Sequence, residues 1–181
     1  LRAGEFNLMT AGRGIAHSEL GLVNPMVPFD QAKLMHAVQL WIALPDTYRQ
    51  LAPSFEHHAN LPRVAGRGFS AKVFVGTFHG ATSPATVYSP LVGVQLGIDG
   101  LETVMVPLDH HFEHAIIPLT GSLTVDGHHV EAGEMIFLPA GDAGVMISAG
   151  RAGTQALLIG GTPFQENLVM WWNFIGRSHA E

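Results

Sequence analysis

The chain has 181 residues, a formal net charge of −6 and no cysteine. The missing cysteines exclude a disulfide scaffold and thiol chemistry. Its only lysines are Lys33 and Lys72, so it lacks the basic face that direct nucleic-acid binding needs, and no apolar run reaches the length of a membrane span.

Nearly half of the residues (47%) are apolar, enough to bury a sizeable core, and the 21 glycines and 11 prolines are spread along the chain, as in folds of many short strands joined by turns. Taken in chain order, residues 37–44, rich in strand formers, read as a strand closed by Pro45, and residues 44–51 as a single helical turn. The polar, proline-containing stretch 54–67 reads as a connector, with His57 and His58 solvated in it. Residues 70–76 alternate and end in glycine, and 103–106 form a short strand. Between Glu113 and Leu138 lies a hairpin series punctuated by Gly121, Asp126-Gly127 and Gly133; Asp-Gly is a strong two-residue turn signal. Residues 169–175 read as a strand and 177–181 as a short terminal helix. The expected class is all-β, a sandwich or small barrel.

One phrase occurs twice. Ala3-Gly4-Glu5 is followed by Thr10-Ala11-Gly12, and Ala132-Gly133-Glu134 by Pro139-Ala140-Gly141, with the same internal spacing. A matched repeat at this distance predicts two copies of one domain. The first copy continues through Arg13 and Gly14 to His17 and Glu19. Two apart on a strand, these side chains share a face, and an imidazole with a carboxylate is half of a non-haem iron set. The plainer reading is a satisfied polar pair; the glycines before it, which let the backbone turn tightly, favour the ligand reading.

The run Met9-Thr10-Ala11-Gly12-Arg13-Gly14-Ile15-Ala16-His17-Ser18-Glu19 resembles the pirin family of bicupins. So do the run from His36 to Pro45, Gly160-Gly161-Thr162-Pro163, and Met170-Trp171-Trp172-Asn173-Phe174. The resemblance implies two stacked cupin barrels. Residues 1–53 are then the later part of the N-terminal cupin, 54–67 the connector, 68–162 the C-terminal cupin, and 163–181 a strand and tail packing back on the N-terminal domain. It also implies one Fe(II) site in the first barrel, with His17 and Glu19 as two of four ligands. The other two, a His-x-His pair, are expected upstream of Leu1, in a missing part of about 70 residues. This chain alone is then expected to hold half of the ligand set. His36 and Gln39 are candidates for positions behind the ligands or in the pocket, and Arg13 for holding a substrate anion or only a turn. Trp41, Trp171 and Trp172 read as core or inter-domain packing.

The second copy is rich in histidine but out of register for a cupin metal site. Asp109-His110-His111-Phe112-Glu113-His114 precedes Gly121, and no histidine follows Gly141. A lone-metal reading of His110, Glu113 and His114 competes with a plainer one, polar residues at the mouth of a metal-free barrel. His128 and His129 follow a hairpin turn, with one expected in solvent.

The family resemblance implies an iron-dependent dioxygenase that cleaves flavonols such as quercetin, with Glu19 both ligand and base. The alternative is a redox-sensitive metal-binding regulatory protein whose partners are transcription factors or metabolic enzymes. A third reading is an inactive piece of a bicupin. A cytoplasmic location is expected, with small aromatic substrates or proteins as partners and neither nucleic acid nor membrane.

Overall fold

The computed structural model describes residues 2–18 and 36–181, and these contain no helix. The all-β expectation holds. Two antiparallel sheets face each other. The larger runs β11 (Ile136–Leu138), β8 (Glu113–Pro118), β13 (Thr154–Gly161), β6 (Leu91–Ile98), β4 (Phe69–Phe78) and β3 (Arg63–Gly66), with β5 (Ala81–Thr82) beside β4. The smaller runs β10 (His128–Glu131), β9 (Ser122–Val125), β12 (Gly144–Ala149) and β7 (Val104–Pro107). Alternation on each strand turns one apolar set inward. Val73, Val94, Leu96, Ile98, Val106, Ile116, Leu123, Val125, Ile147 and Leu158 have no exposed surface and form one core between the sheets. Burying each such side chain contributes about 1.5–3 kcal/mol.

Turn chemistry sets the register. Val125 pairs with His128, and Asp126 and Gly127 between them have φ of 46° and 84°, the double left-handed turn that matches strand twist. The Asp126 carboxylate also accepts from the Met146 amide (2.9 Å), tying this turn to β12. On β4 the pairing with β6 slips between Val73 and Val75, a bulge that leaves Phe74 as the extra residue. Inward alternation resumes as Gly76 and Phe78 after Phe69, Ala71 and Val73. Gly76 carries the bend, with φ of 71°, and a Cβ there would lie 1.8 Å from the Leu91 carbonyl oxygen.

The repeated phrase builds the same turn twice. Gly4 and Gly133 have φ of 87° and 91°. The Glu5 amide donates to the Arg2 carbonyl (3.1 Å) and the Glu134 amide to the Glu131 carbonyl (3.0 Å). The Glu5 carboxylate in turn accepts from the Arg2 amide (2.6 Å), and that of Glu134 from the Glu131 amide (2.9 Å). Each turn leads into a strand: β1 (Phe6–Thr10) after the first, β11 after the second.

Five expectations are corrected. Within 54–67 two strands form where a connector with His57 and His58 in a loop is expected: β2 (Ser54–His58) pairs with β1, and β3 pairs with β4. His57 and His58 therefore sit on a strand, where His57 Nδ1 lies 2.7 Å from Asn7 Oδ1 and His58 Nε2 lies 2.9 Å from Glu56. Residues 37–44 form no strand despite their composition; among the described residues no strand pairs with them. Residues 169–175 are a hairpin rather than one strand: β14 (Val169–Trp171) pairs with β15 (Phe174–Gly176) around Trp172, whose φ is 52°. Residues 177–181 form no helix, because their side chains are engaged elsewhere. The Arg49 guanidinium donates to Glu181 (2.8 and 3.1 Å), and Arg177 donates to Glu166 (2.6 Å) and to the Leu44 carbonyl (2.7 Å). Hydrogen bonds from the Arg49 side chain and the Arg177 amide hold the Glu181 carboxyl down to about 2. Trp41, Trp171 and Trp172 are 51%, 72% and 80% exposed, so none is a core residue of the described chain.

Replacing Gly76 by Ala forces a side chain into the Leu91 carbonyl in a left-handed conformation, and is expected to cost about 2–4 kcal/mol. Gly127→Ala, at a turn with open space around it, is expected to cost only about 1–2 kcal/mol. Urea midpoints of the two variants check the difference; equal midpoints would show that the bend on β4 is not a constraint.

Candidate functional site

The sequence-predicted ligand pair is only partly described. Ala11 to Ser18 follow β1 as turn and irregular chain, not as the expected strand. Gly12 and Gly14 have φ of 54° and 127° and bend the backbone here; a Cβ on Gly12 would collide with the Leu51 carbonyl oxygen at 2.1 Å. The Arg13 amide donates to that same oxygen (3.0 Å), so Arg13 serves the turn through its backbone while its side chain is exposed. His17 is exposed; Glu19 lies outside the described residues. His36 and Gln39 are exposed on the irregular stretch, so Gln39 needs no buried partner. An imidazole and a carboxylate suit Fe(II), but two donors do not complete a centre. Among the described residues His17 belongs to no group of three or more histidine or acidic side chains that could share an ion.

Four histidines, His79, His110, His111 and His114, converge instead at one end of the barrel. A cavity of about 480 Å³ opens there, lined by Phe78, His79, Asp109, His110, His111, Phe112 and His114 among others. The strands explain the arrangement. His114 shares a face of β8 with Ile116 and Pro118, so it points inward and is 3% exposed. Glu113, its neighbour, falls on the opposite face by alternation. The expected trio of His110, Glu113 and His114 is therefore split, and the structure groups Asp109, His110 and His111 instead. These three occupy the turn between β7 and β8. The Asp109 carboxylate accepts from the His111 amide (3.0 Å) and lies 3.1 Å from His111 Nδ1. That amide, chiefly, holds the Asp109 carboxyl below its ordinary range.

His79 was not legible as part of this mouth. It sits with Gly80 in the tight turn from β4 to β5, at φ of 46° and 83°, with its ring edge-on to Phe69 at 5.7 Å. The signal available was a His-Gly step between two strand-like segments. Burial pushes the His114 imidazole below its ordinary value of 6.5, opposed by the Asp109 charge and a hydrogen bond to the Phe112 backbone.

A second, apolar cavity of about 360 Å³ lies over the outer face of the large sheet. Leu40, Trp41 and Ile42 border it on one side and Phe74, Phe137 and Ile159 on another. No helix among the described residues is long and apolar enough to cross a membrane.

Comparison with known proteins places these features. The family domain described as Pirin matches residues 1–42, and the Pirin C-terminal cupin domain matches residues 94–181. A Pseudomonas aeruginosa protein named "Putative quercetin 2,3-dioxygenase" is 41% identical over 181 residues, which is 100% of this chain and 55% of that protein. A Caulobacter vibrioides "Pirin-like protein" is 33% identical over 179 residues, 96% of this chain and 59% of its own length. The crystal structure of quercetin 2,3-dioxygenase from Acinetobacter baumannii superposes with a TM-score of 0.89 at 40% identity, covering 99% of this chain and 57% of that one. The chain thus spans between 55% and 59% of the length of these three proteins.

The buried His114 makes stability depend on pH. The unfolded chain protonates this imidazole near pH 6.5 and the folded chain only at lower pH, so between the two values the unfolded state binds more protons. Its contribution is fully present above about pH 6.5 and declines as pH falls through the folded value. Unfolding free energies from urea titrations at pH 7.5 and 5.5 are expected to differ less in His114→Leu than in the parent. An identical difference would place the dependence on other groups.

Proposed function

This chain belongs to the pirin family, and we propose that the whole protein carrying it is an Fe(II)-dependent dioxygenase acting on flavonol-like substrates. The observation that supports this most is the match over 99% of the chain to the Acinetobacter baumannii quercetin 2,3-dioxygenase. His17 and Glu19, reached through the Gly12-Arg13-Gly14 turn, supply one imidazole and one carboxylate of the ligand set. The remaining ligands come from outside the described residues. In this reading Glu19 also takes up the proton of the flavonol hydroxyl, a role open to a carboxylate beside the substrate. Arg13 offers its exposed guanidinium to the resulting anion.

A second reading, a metal-dependent regulatory partner without turnover, draws on one feature. The β14–β15 hairpin presents Met170, Trp171, Trp172 and Phe174 at 64–80% exposure, an apolar surface of the kind that marks protein contacts. Recovery of a bound partner that depends on Fe(II) versus Fe(III) would favour this reading.

The test is oxygen uptake with quercetin by the whole iron-loaded protein. Glu19→Gln is expected to lower turnover by about 100-fold or more while iron is retained, in line with loss of a general base. His17→Gln is expected to lose iron. Iron-loaded protein that consumes neither quercetin nor oxygen would overturn the enzymatic reading, and unchanged turnover in Glu19→Gln would remove the base role.

A further inference from the structure

We propose that the turn between β7 and β8 is a binding site for a divalent late first-row metal ion, held by Asp109, His110 and His111. One donor atom from each side chain lies within 4.8 Å of the others. Two imidazole nitrogens and one carboxylate oxygen suit Zn(II), Co(II), Ni(II) or Fe(II), whereas Mg(II) and Ca(II) select all-oxygen sets. Metal–ligand bonds of about 2.0–2.2 Å require donors closer together than this. All three residues are exposed, so modest side-chain rotations suffice.

The backbone beneath them is already fixed. The Phe112 amide donates to the Asp109 carbonyl (2.9 Å), the Gly141 amide to the His110 carbonyl (2.8 Å), and the Leu108 amide to the Ala143 carbonyl (3.0 Å). The turn is thus braced internally and against the loop that follows β11. The two imidazoles are gathered rather than splayed, with ring centroids 3.8 Å apart, and the Asp109 carboxylate is already oriented by the His111 amide. The ion therefore has only the three side chains left to order. Three protein ligands leave further coordination positions for water or a small oxygen anion, and the same residues line the mouth cavity together with His79 and His114.

This site shares no residue with the His17–Glu19 pair, so a protein inactive on quercetin leaves the proposal standing. The test is titration of the metal-free protein with Co(II) in excess Mg(II), followed by calorimetry and by the visible absorption of the bound ion. The expected result is one Co(II) retained in His17→Gln/Glu19→Gln. Its affinity falls at least tenfold in His110→Gln or His111→Gln and is lost in the double variant. Asp109→Asn, which keeps the turn's acceptor oxygen, is expected to weaken it as well, and far-UV circular dichroism reports that each variant remains folded. Binding unchanged in the His110→Gln/His111→Gln variant would overturn the proposal, as would binding only at millimolar Co(II).

Discussion

An extended backbone cannot satisfy its own amides; it needs a neighbour on at least one side. That requirement organises this protein. Tight turns supply the neighbour directly from β3 to β4, β4 to β5 and β9 to β10; the other strands of the two facing sheets pair across longer intervals of sequence and close around one apolar core. Residues 37–44 have the composition of a strand but no paired strand among the described residues, and residues 40–43 border the apolar cavity as irregular chain. The outlying pairs, β1 with β2 and β14 with β15, are each satisfied on one side only. Phe6 of β1 meets the bulged Phe74 at 5.5 Å, which sets that pair against the outer face of the large sheet.

The parts legible in sequence are those governed by local chemistry. Asp126-Gly127 announced its hairpin because few other residues accept two consecutive left-handed conformations. The repeated Ala-Gly-Glu phrase was legible as a duplication, and its physical content proves to be a carboxylate folding back on the amide three residues earlier. The parts not legible depend on partners remote in sequence. Strand composition alone could not show that residues 37–44 lack a strand to pair with, that β2 would pair with β1 across a long interval, or that Trp172 would break 169–175 into a hairpin.

The same division holds for chemistry. The histidine-rich stretch before Gly121 was visible as a cluster, but its partition was not. Alternation on β8 turns His114 into the core and Glu113 away from it, while the turn before β8 gathers the three residues that precede Phe112. His79 reaches the same mouth from a turn more than thirty positions earlier in the chain, a meeting only the pairing of β4 with β6 and of β6 with β13 arranges. The motif singled out His17, but its surroundings were not legible, because motif spacing carries no information about which chain lies opposite.

The ionic cluster of Asp46, Arg49, Glu166, Arg177 and Glu181 ties the chain's last residues to a turn more than a hundred positions away. Its members are exposed or partly exposed, where mobile ions screen charge over about 8–10 Å at ordinary ionic strength. The barrel core is held by apolar burial, which salt does not weaken in this way. The molecule therefore answers to two solvent variables separately. Rising ionic strength loosens the attachment of the C-terminal hairpin region while the barrel keeps its shape.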